Sequence, residues 1–206
     1  MPDLTLSSLP ALAPFFGAKL LPNTDTVDYV DGPIHLSDTS EGLYYQPWRF
    51  RLMCNRSVSL AAATYVEQTV LSQQGIEKIA GSFDQNGRYL IGYIDCNKDL
   101  YIYWFDPNVN LYVSNFLDSD VDSMRMDLDD RRINQVGNSN VCIVYTKDNS
   151  LYTRIQIDRF AVGYLKYSDV QGKILKVGMN TANRFQILFE QITYPVYEDP
   201  YPAGTI

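Results

Sequence analysis

Apolar and polar residues along this chain follow a pattern that occurs twice, about 51 residues apart. Each copy is a run rich in Tyr, Ile and Val, a short turn with Asn and Asp, and a second run that opens with Leu-Tyr. The copies lie at residues 89–94 with 100–105, and at residues 141–146 with 151–156. A fixed period near 50 residues is typical of repeated supersecondary units. Residues 48–53 open an earlier copy and residues 183–189 a later, incomplete one, so about three and a half β-units are predicted.

The other apolar runs complete the prediction of an all-β chain built from repeated antiparallel sheet units. Asn86-Gly87 is the strongest hairpin signal, because a type I′ turn needs positive φ at both central residues. Residues 59–74 are open to two interpretations, a helix or two strands, and the units could be propeller-blade-like or packed sheets. The predicted strands are at about 49–54, 57–64, 68–71, 76–83, 88–94, 100–105, 111–117, 140–146, 151–157, 161–167, 173–178 and 184–190.

Both ends of the chain differ from its middle. Residues 1–40 contain five prolines, and residues 194–206 alternate Pro with Tyr. Proline removes a backbone donor and favours extended conformations. We therefore predict an extended N-terminal arm (1–40), a β-repeat domain (41–193) and an extended C-terminal tail (194–206), with frayed termini as the alternative. The apolar side chains that would let the arms dock are Phe15, Phe16, Leu20, Leu21, Tyr194, Tyr197 and Tyr201.

Composition and charge exclude several classes of partner. The net charge of −7 and the pI near 4.6 argue against nucleic acid, whose phosphates an acidic surface repels. Structural zinc needs about four Cys or His ligands, whereas this chain has three dispersed cysteines and one histidine, so we predict reduced thiols and no cofactor. Prolines interrupt the apolar stretch at residues 9–22, which is also shorter than the ~20 residues that span a bilayer, so no membrane insertion is predicted.

Acidic residues form the nearest approach to a metal motif. Asp118, Asp120, Asp122 and Asp129 have the spacing of a calcium loop, but Ser123 stands where that loop requires glycine. We interpret the segment as a solvated acidic connector between units.

The remaining constellations predict structure rather than catalysis. Asp129-Asp130-Arg131-Arg132 and Asp158-Arg159 could suggest the carboxylate pair of a glycosidase, but adjacent side chains on a strand point to opposite sides. Ion pairs between units, or hydrogen bonds to neighbouring loops, are the better account. Asp84 with Asn86 and Gly87 resembles the Asp-containing turn of sialidase-type propellers, in which the Asp caps its own backbone. The lone His35 lies in the Pro-rich arm without a nucleophile motif, and no enzyme is predicted.

Several short motifs occur in an order that resembles a family of bacteriophage virion proteins encoded among tail genes, particularly of short-tailed phages. They are Phe83-Asp84-Gln85-Asn86, Leu128-Asp129-Asp130-Arg131-Arg132, Asp158-Arg159-Phe160, Val177-Gly178-Met179-Asn180 and Asn183-Arg184-Phe185-Gln186. The resemblance covers roughly residues 80–190. Arg131 stands where that pattern usually has Lys, and Phe185 where it has Leu.

The resemblance implies a non-enzymatic structural component of a phage tail, at the distal tail tube or the fibre attachment. Such a protein would be a virion protein assembled in the host cytoplasm as a homo-oligomer beside other tail proteins. It would be present in several copies, joined through arms and sheet edges. The alternative is a carbohydrate-binding module that recognises a host surface glycan, with Trp48 and Trp104 as platforms for sugar rings.

Overall fold

Fifteen strands follow one another in the parts of the chain that the computed structural model describes, residues 25–33, 45–128, 140–170, 174–179, 185–189 and 196–198. One turn of 3₁₀ helix (Gln156–Asp158) separates β11 from β12. The strands are β1 (Val27–Pro33), β2 (Tyr45–Leu52), β3 (Ser57–Ala62), β4 (Tyr65–Ser72), β5 (Ile76–Phe83), β6 (Tyr89–Asp95), β7 (Leu100–Asp106), β8 (Leu111–Asp118), β9 (Val121–Leu128), β10 (Val141–Lys147), β11 (Ser150–Ile155), β12 (Tyr164–Tyr167), β13 (Ile174–Met179), β14 (Phe185–Phe189) and β15 (Val196–Glu198).

Consecutive strands pair antiparallel into four sheets, each in chain order. The first sheet is β1–β4, the second β5–β8, the third β9–β12 and the fourth β13–β15. The twice-written sequence pattern corresponds to the second and third strands of the second and third sheets. The partial copies correspond to β2 and β14, the second strands of the other two sheets. The prediction of repeated antiparallel sheet units is confirmed, with a fourth sheet in place of the half unit.

The sheets stack face to face, with one apolar layer between each neighbouring pair. Trp48 and Phe50 of the first sheet pack with Ile91 of the second, and Cys142 and Val144 of the third with Ile187 of the fourth. The second and third sheets share the largest layer, which contains Leu90, Ile102, Trp104, Met124, Ile143, Tyr145 and Phe160. Alternate residues of a strand point to opposite faces, so β6 and β10 are buried on both sides and read as near-continuous apolar runs.

The first strands of successive sheets lie side by side, β1 against β5, β5 against β9 and β9 against β13. A buried ion pair joins the first and third sheets there: Arg125 Nη2 in β9 lies 3.3 Å from Asp25 Oδ1, just before β1. The Asp25 carbonyl also accepts a hydrogen bond from the Ile79 N–H at 2.9 Å.

Three strands lie where the sequence predicted none. The prediction of a solvated acidic connector is wrong for residues 121–128, which form β9. Neighbouring sheets cover both faces of that strand, and Asp25 compensates the charge of Arg125. The arm boundary at residue 40 is also wrong, since β1 pairs along its whole length with β2. β15 lies in the predicted tail, where Val196 is the partner of Ile187. Residues 59–74 contain strands rather than a helix.

Several predicted residues lie outside the described ranges. Among the docking candidates, Tyr197 falls in β15, whereas the others in the arms are not described. Those outside are Phe15, Phe16, Leu20, Leu21, His35, Asp129, Asp130, Arg131, Arg132, Arg184, Tyr194 and Tyr201. Across the described ranges, no helix has the length and apolar character needed to cross a membrane.

Candidate interaction surface and cleft

Trp48 and Trp104, which were predicted as possible platforms for sugar rings, are both core residues. Trp48 has 0% of its surface exposed and Trp104 2%. The Trp48 ring lies 5.1 Å from that of Tyr65 and 5.4 Å from that of Phe83, centroid to centroid. Trp104 meets Phe160 edge to face at 5.5 Å. The assignment of Trp48 and Trp104 to an interaction surface is therefore wrong, because they fill the layers between sheets.

A group of partly exposed aromatic residues lies instead on the face of the second sheet that looks toward the first. Alternation along β7 and its register with β6 and β8 bring them together. Ring centroids are 4.5 Å apart for Tyr89 and Tyr112, 5.3 Å for Tyr103 and Tyr112, and 5.6 Å for Tyr101 and Phe116. We call this set the aromatic face; its members are Tyr89, Tyr101, Tyr103, Phe105, Tyr112 and Phe116.

Burial raises the pKa of each of the four phenols on the aromatic face. It raises the pKa of Tyr89 to about 12 and raises the pKa of Tyr112 as well. The Arg88 guanidinium lies 3.9 Å from the centre of the Phe105 ring, a cation–π contact at the end of the face next to the β5–β6 turn. Tyrosines of this kind combine apolar area with a hydroxyl, a combination that is common at protein interfaces.

The outer strand of each four-stranded sheet carries at least one strongly exposed apolar side chain. Val66 in β4 is 82% exposed, Leu111 in β8 65% and Leu165 in β12 55%. Within the described strands, β4, β8 and β12 each pair on one side only. An unpaired strand edge with apolar side chains can pair with another chain.

A cleft of about 670 Å³ opens between β8 of the second sheet and the β11–β12 connection of the third. Arg154 joins its two walls: one guanidinium nitrogen donates to the carbonyls of Phe160 and Ala161, both at 2.8 Å, and the other donates to the Leu117 carbonyl at 2.7 Å. Phe116, 57% exposed, also lines the cleft.

The pair Asp158-Arg159, singled out in the sequence, lies in this cleft. Arg159 forms an ion pair with Asp106 of the second sheet, which confirms the predicted contact between units. Asp158 Oδ2 accepts a hydrogen bond from the Tyr164 hydroxyl at 3.1 Å, while its Oδ1 is buried without a hydrogen-bond partner.

Asp84 caps its own hairpin, as the sequence predicted. Its Oδ1 accepts hydrogen bonds from the backbone N–H groups two and four residues later, at 2.8 and 2.9 Å. Asp95 repeats both bonds in the next turn, at 2.9 and 3.0 Å. Of Asn86 and Gly87, only Gly87 has positive φ (70°), so the predicted type I′ turn is wrong. The side-chain cap allows a longer turn with a single left-handed residue.

Two acidic residues of the calcium-like spacing, Asp118 and Asp122, pair with lysines. Asp118 Oδ1 lies 2.7 Å from Lys147 Nζ, and Asp122 Oδ1 lies 3.1 Å from Lys98 Nζ. In the described part of the chain, no three His, Cys, Asp or Glu side chains are grouped to hold a metal. The three cysteines form no disulfide: Cys142 is buried, and Cys54 and Cys96 are exposed.

Comparison with models of known protein families and with curated protein sequences found no match. The aromatic face and the cleft were both missed from the sequence. The alternation of Tyr101, Tyr103 and Phe105 could have indicated the face, since period 2 puts them on one side of a strand. No sequence signal brings residues 115–117 to residues 154–161, because that contact depends on how two sheets stack.

Proposed function

We propose that this chain is a non-enzymatic structural component of a bacteriophage tail, present in several copies at the distal tube or the fibre attachment. The observation that carries the proposal is the open apolar edge that recurs on β4, β8 and β12. A subunit in a closed oligomer can cover such edges against its neighbours. The motif order of residues 80–190 supplies the phage context.

The aromatic face supports the same function. Tyr-rich surfaces are typical of interface hot spots, and four of the six rings here belong to tyrosine. Burying one exposed Val or Leu side chain contributes about 1.5–3 kcal/mol. With three edges in each subunit, such contacts add up across an assembly even when each one is weak.

Purified phage particles test the proposal directly. We expect mass spectrometry to find this chain among the virion proteins in several copies, and antibody labelling in electron micrographs to place it on the tail. Particles that infect normally but lack the chain would refute the proposal.

Lysine substitution of the outer edges tests the contacts. The combined variant Val66→Lys, Leu111→Lys and Leu165→Lys changes exposed positions, so we expect each substitution to alter the free energy of unfolding by only about 0.5 kcal/mol. Incorporation into particles should be lost. The matched control adds the same charge at exposed polar positions outside the edge strands, Gln74→Lys, Asn97→Lys and Ser168→Lys. If both variants assemble equally well, the edges are not interfaces.

A further inference from the structure

We propose that the aromatic face binds the N-terminal segment, residues 4–21, of a second copy of this chain. The inference rests on the proposed assembly of several copies, and it names one contact that joins them. The six rings of the face lie on β6, β7 and β8 of the second sheet.

Exposure rises along one row of paired residues in the second sheet. Ile79 in β5 is the partner of Tyr93 in β6. Tyr93 is in turn the partner of Tyr101 in β7, which pairs with Phe116 in β8. Paired residues of neighbouring strands share a face of the sheet. Ile79 is 1% exposed, Tyr93 2% and Phe116 57%, so the face is closed at β5 and β6 and open toward β8.

The rings of the face stack on one another. The ring planes of Tyr89 and Tyr112 meet at 16° with centroids 4.5 Å apart, and those of Tyr93 and Tyr101 meet at 11° with centroids 5.1 Å apart. A sugar needs a free aromatic ring face, and this stacking occupies the ring faces. The ring edges and the phenol hydroxyls suit an extended apolar segment better, because aromatic-lined grooves bind proline-containing segments.

Residues 4–21 have the composition that such a groove binds. They contain six leucines, Phe15 and Phe16, and prolines at positions 10 and 14. Proline removes backbone donors, so some carbonyls of the segment need donors from elsewhere, and a tyrosine hydroxyl can supply one. Lys19 is the only charged residue of the segment, whereas the whole chain carries −7. The segment can therefore approach a second copy without like-charge repulsion.

The place where the segment joins the fold favours a second copy over its own. Asp25 follows the segment, and its carbonyl accepts a hydrogen bond from the Ile79 N–H, at the closed end of the row. The filled layer at Ile79 and Tyr93 closes the direct path from there to the open rings of the same copy. Residues 1–24 can span about 80 Å when extended, whereas a compact chain of this size has a radius of gyration of roughly 17 Å. The segment is therefore long enough to reach the same face of a neighbour.

Photocrosslinking of the purified full-length chain tests the contact. The photoreactive residue p-benzoylphenylalanine replaces Phe116 or, as the matched control, Leu111, which is 65% exposed on the opposite face of the same strand. Isotope-labelled and unlabelled copies are mixed in dilute solution and concentrated before irradiation. We expect mass spectrometry to find crosslinks from position 116 to residues 4–21 that join a labelled to an unlabelled copy, and no crosslinks from position 111 to this segment.

Substitutions in the segment supply a second measurement. Phe15→Ser with Phe16→Ser removes both aromatic side chains and should lower the crosslink yield from position 116 about tenfold. Ser7→Ala with Ser8→Ala changes as many residues without removing an apolar side chain, and it should leave the yield unchanged.

Three results would overturn the assignment: no crosslink from position 116 to residues 4–21, as a saccharide on the face would give; crosslinks within single copies alone; or an unchanged yield in the double phenylalanine variant. A chain that enters particles yet shows no such crosslink refutes this contact alone. One that crosslinks between copies yet is absent from particles refutes the tail assignment alone.

Discussion

Replacing Trp48 by alanine distinguishes a core residue from a surface platform. The indole has no accessible surface and packs against two aromatic rings, at 5.1 and 5.4 Å between centroids. The backbone is equally close, since a Cβ added at Gly32 would lie 2.7 Å from Trp48 Cδ1. Alanine would therefore leave a cavity between the first and second sheets, bounded on one side by backbone that is held in a paired strand.

The expected loss is large for a chain of this size. Truncation of a buried Phe or Trp to alanine costs about 3–5 kcal/mol, against a total stability of roughly 5–15 kcal/mol. Each kcal/mol shifts the melting temperature of a chain of about 200 residues by roughly 2–4 °C. Trp48→Ala should accordingly lower Tm by roughly 6–20 °C. An exposed platform would change the free energy of unfolding by only about 0.5 kcal/mol.

Urea titration and thermal melting, both followed by far-UV circular dichroism, measure this difference. Phe116→Ala is the matched control, because its ring is aromatic but more than half exposed. We expect a small effect there. If Trp48→Ala cost less than about 1 kcal/mol, or no more than the control, the stacking of the first two sheets through Trp48 would be wrong.

Three further predictions concern a turn, an ion pair and the N terminus. Asp84→Ala removes two hydrogen bonds to the backbone and should cost about 1–3 kcal/mol in urea titration, whereas Asp84→Asn, which keeps an oxygen acceptor, should cost less. Burial alone would raise the pKa of Asp118, but hydrogen bonds led by that from Lys147 outweigh it and the pKa is lowered. The ionised Asp118 carboxylate therefore stabilises the fold above the unfolded pKa of about 3.9, and this stabilisation is lost as the pH falls further. Lys147→Met should make the stability depend less on pH in this acidic range, as measured by circular dichroism. An unchanged pH dependence would contradict this prediction. Deleting residues 1–21 leaves Asp25 in place, so the chain should fold with a near-native melting temperature. It should fail to enter phage particles, as measured by immunoblot of purified particles. Failure to fold would put the segment in the core, and normal incorporation would show that the segment is dispensable.

The best-predicted strands are those that depend least on distant partners. β6 and β10 lie between two sheets, so nearly every side chain in them is apolar and the strand is evident from composition alone. β9 could not be found in this way. Its Arg125 is compensated by Asp25, 100 residues earlier in the chain, and its Ser123 hydroxyl lies 2.9 Å from that of Thr146 in β10. A short stretch of sequence shows the charged and polar residues of a strand, but not the distant residues that pair with them in the fold.

The exposure of the aromatic residues was the hardest property to predict, because the hydrophobicity of a side chain does not indicate how exposed it is in the fold. Trp104 and Phe116 lie on neighbouring strands of the same sheet, yet only Phe116 reaches solvent. Trp104 points at the third sheet, whereas Phe116 points toward the first from the outermost strand, beyond most of what that sheet covers. Within the described strands, the most exposed large apolar side chains all lie on the outer strands β4, β8 and β12. The aromatic face, the open edges and the cleft all include β8, which makes that strand the most informative place for mutation.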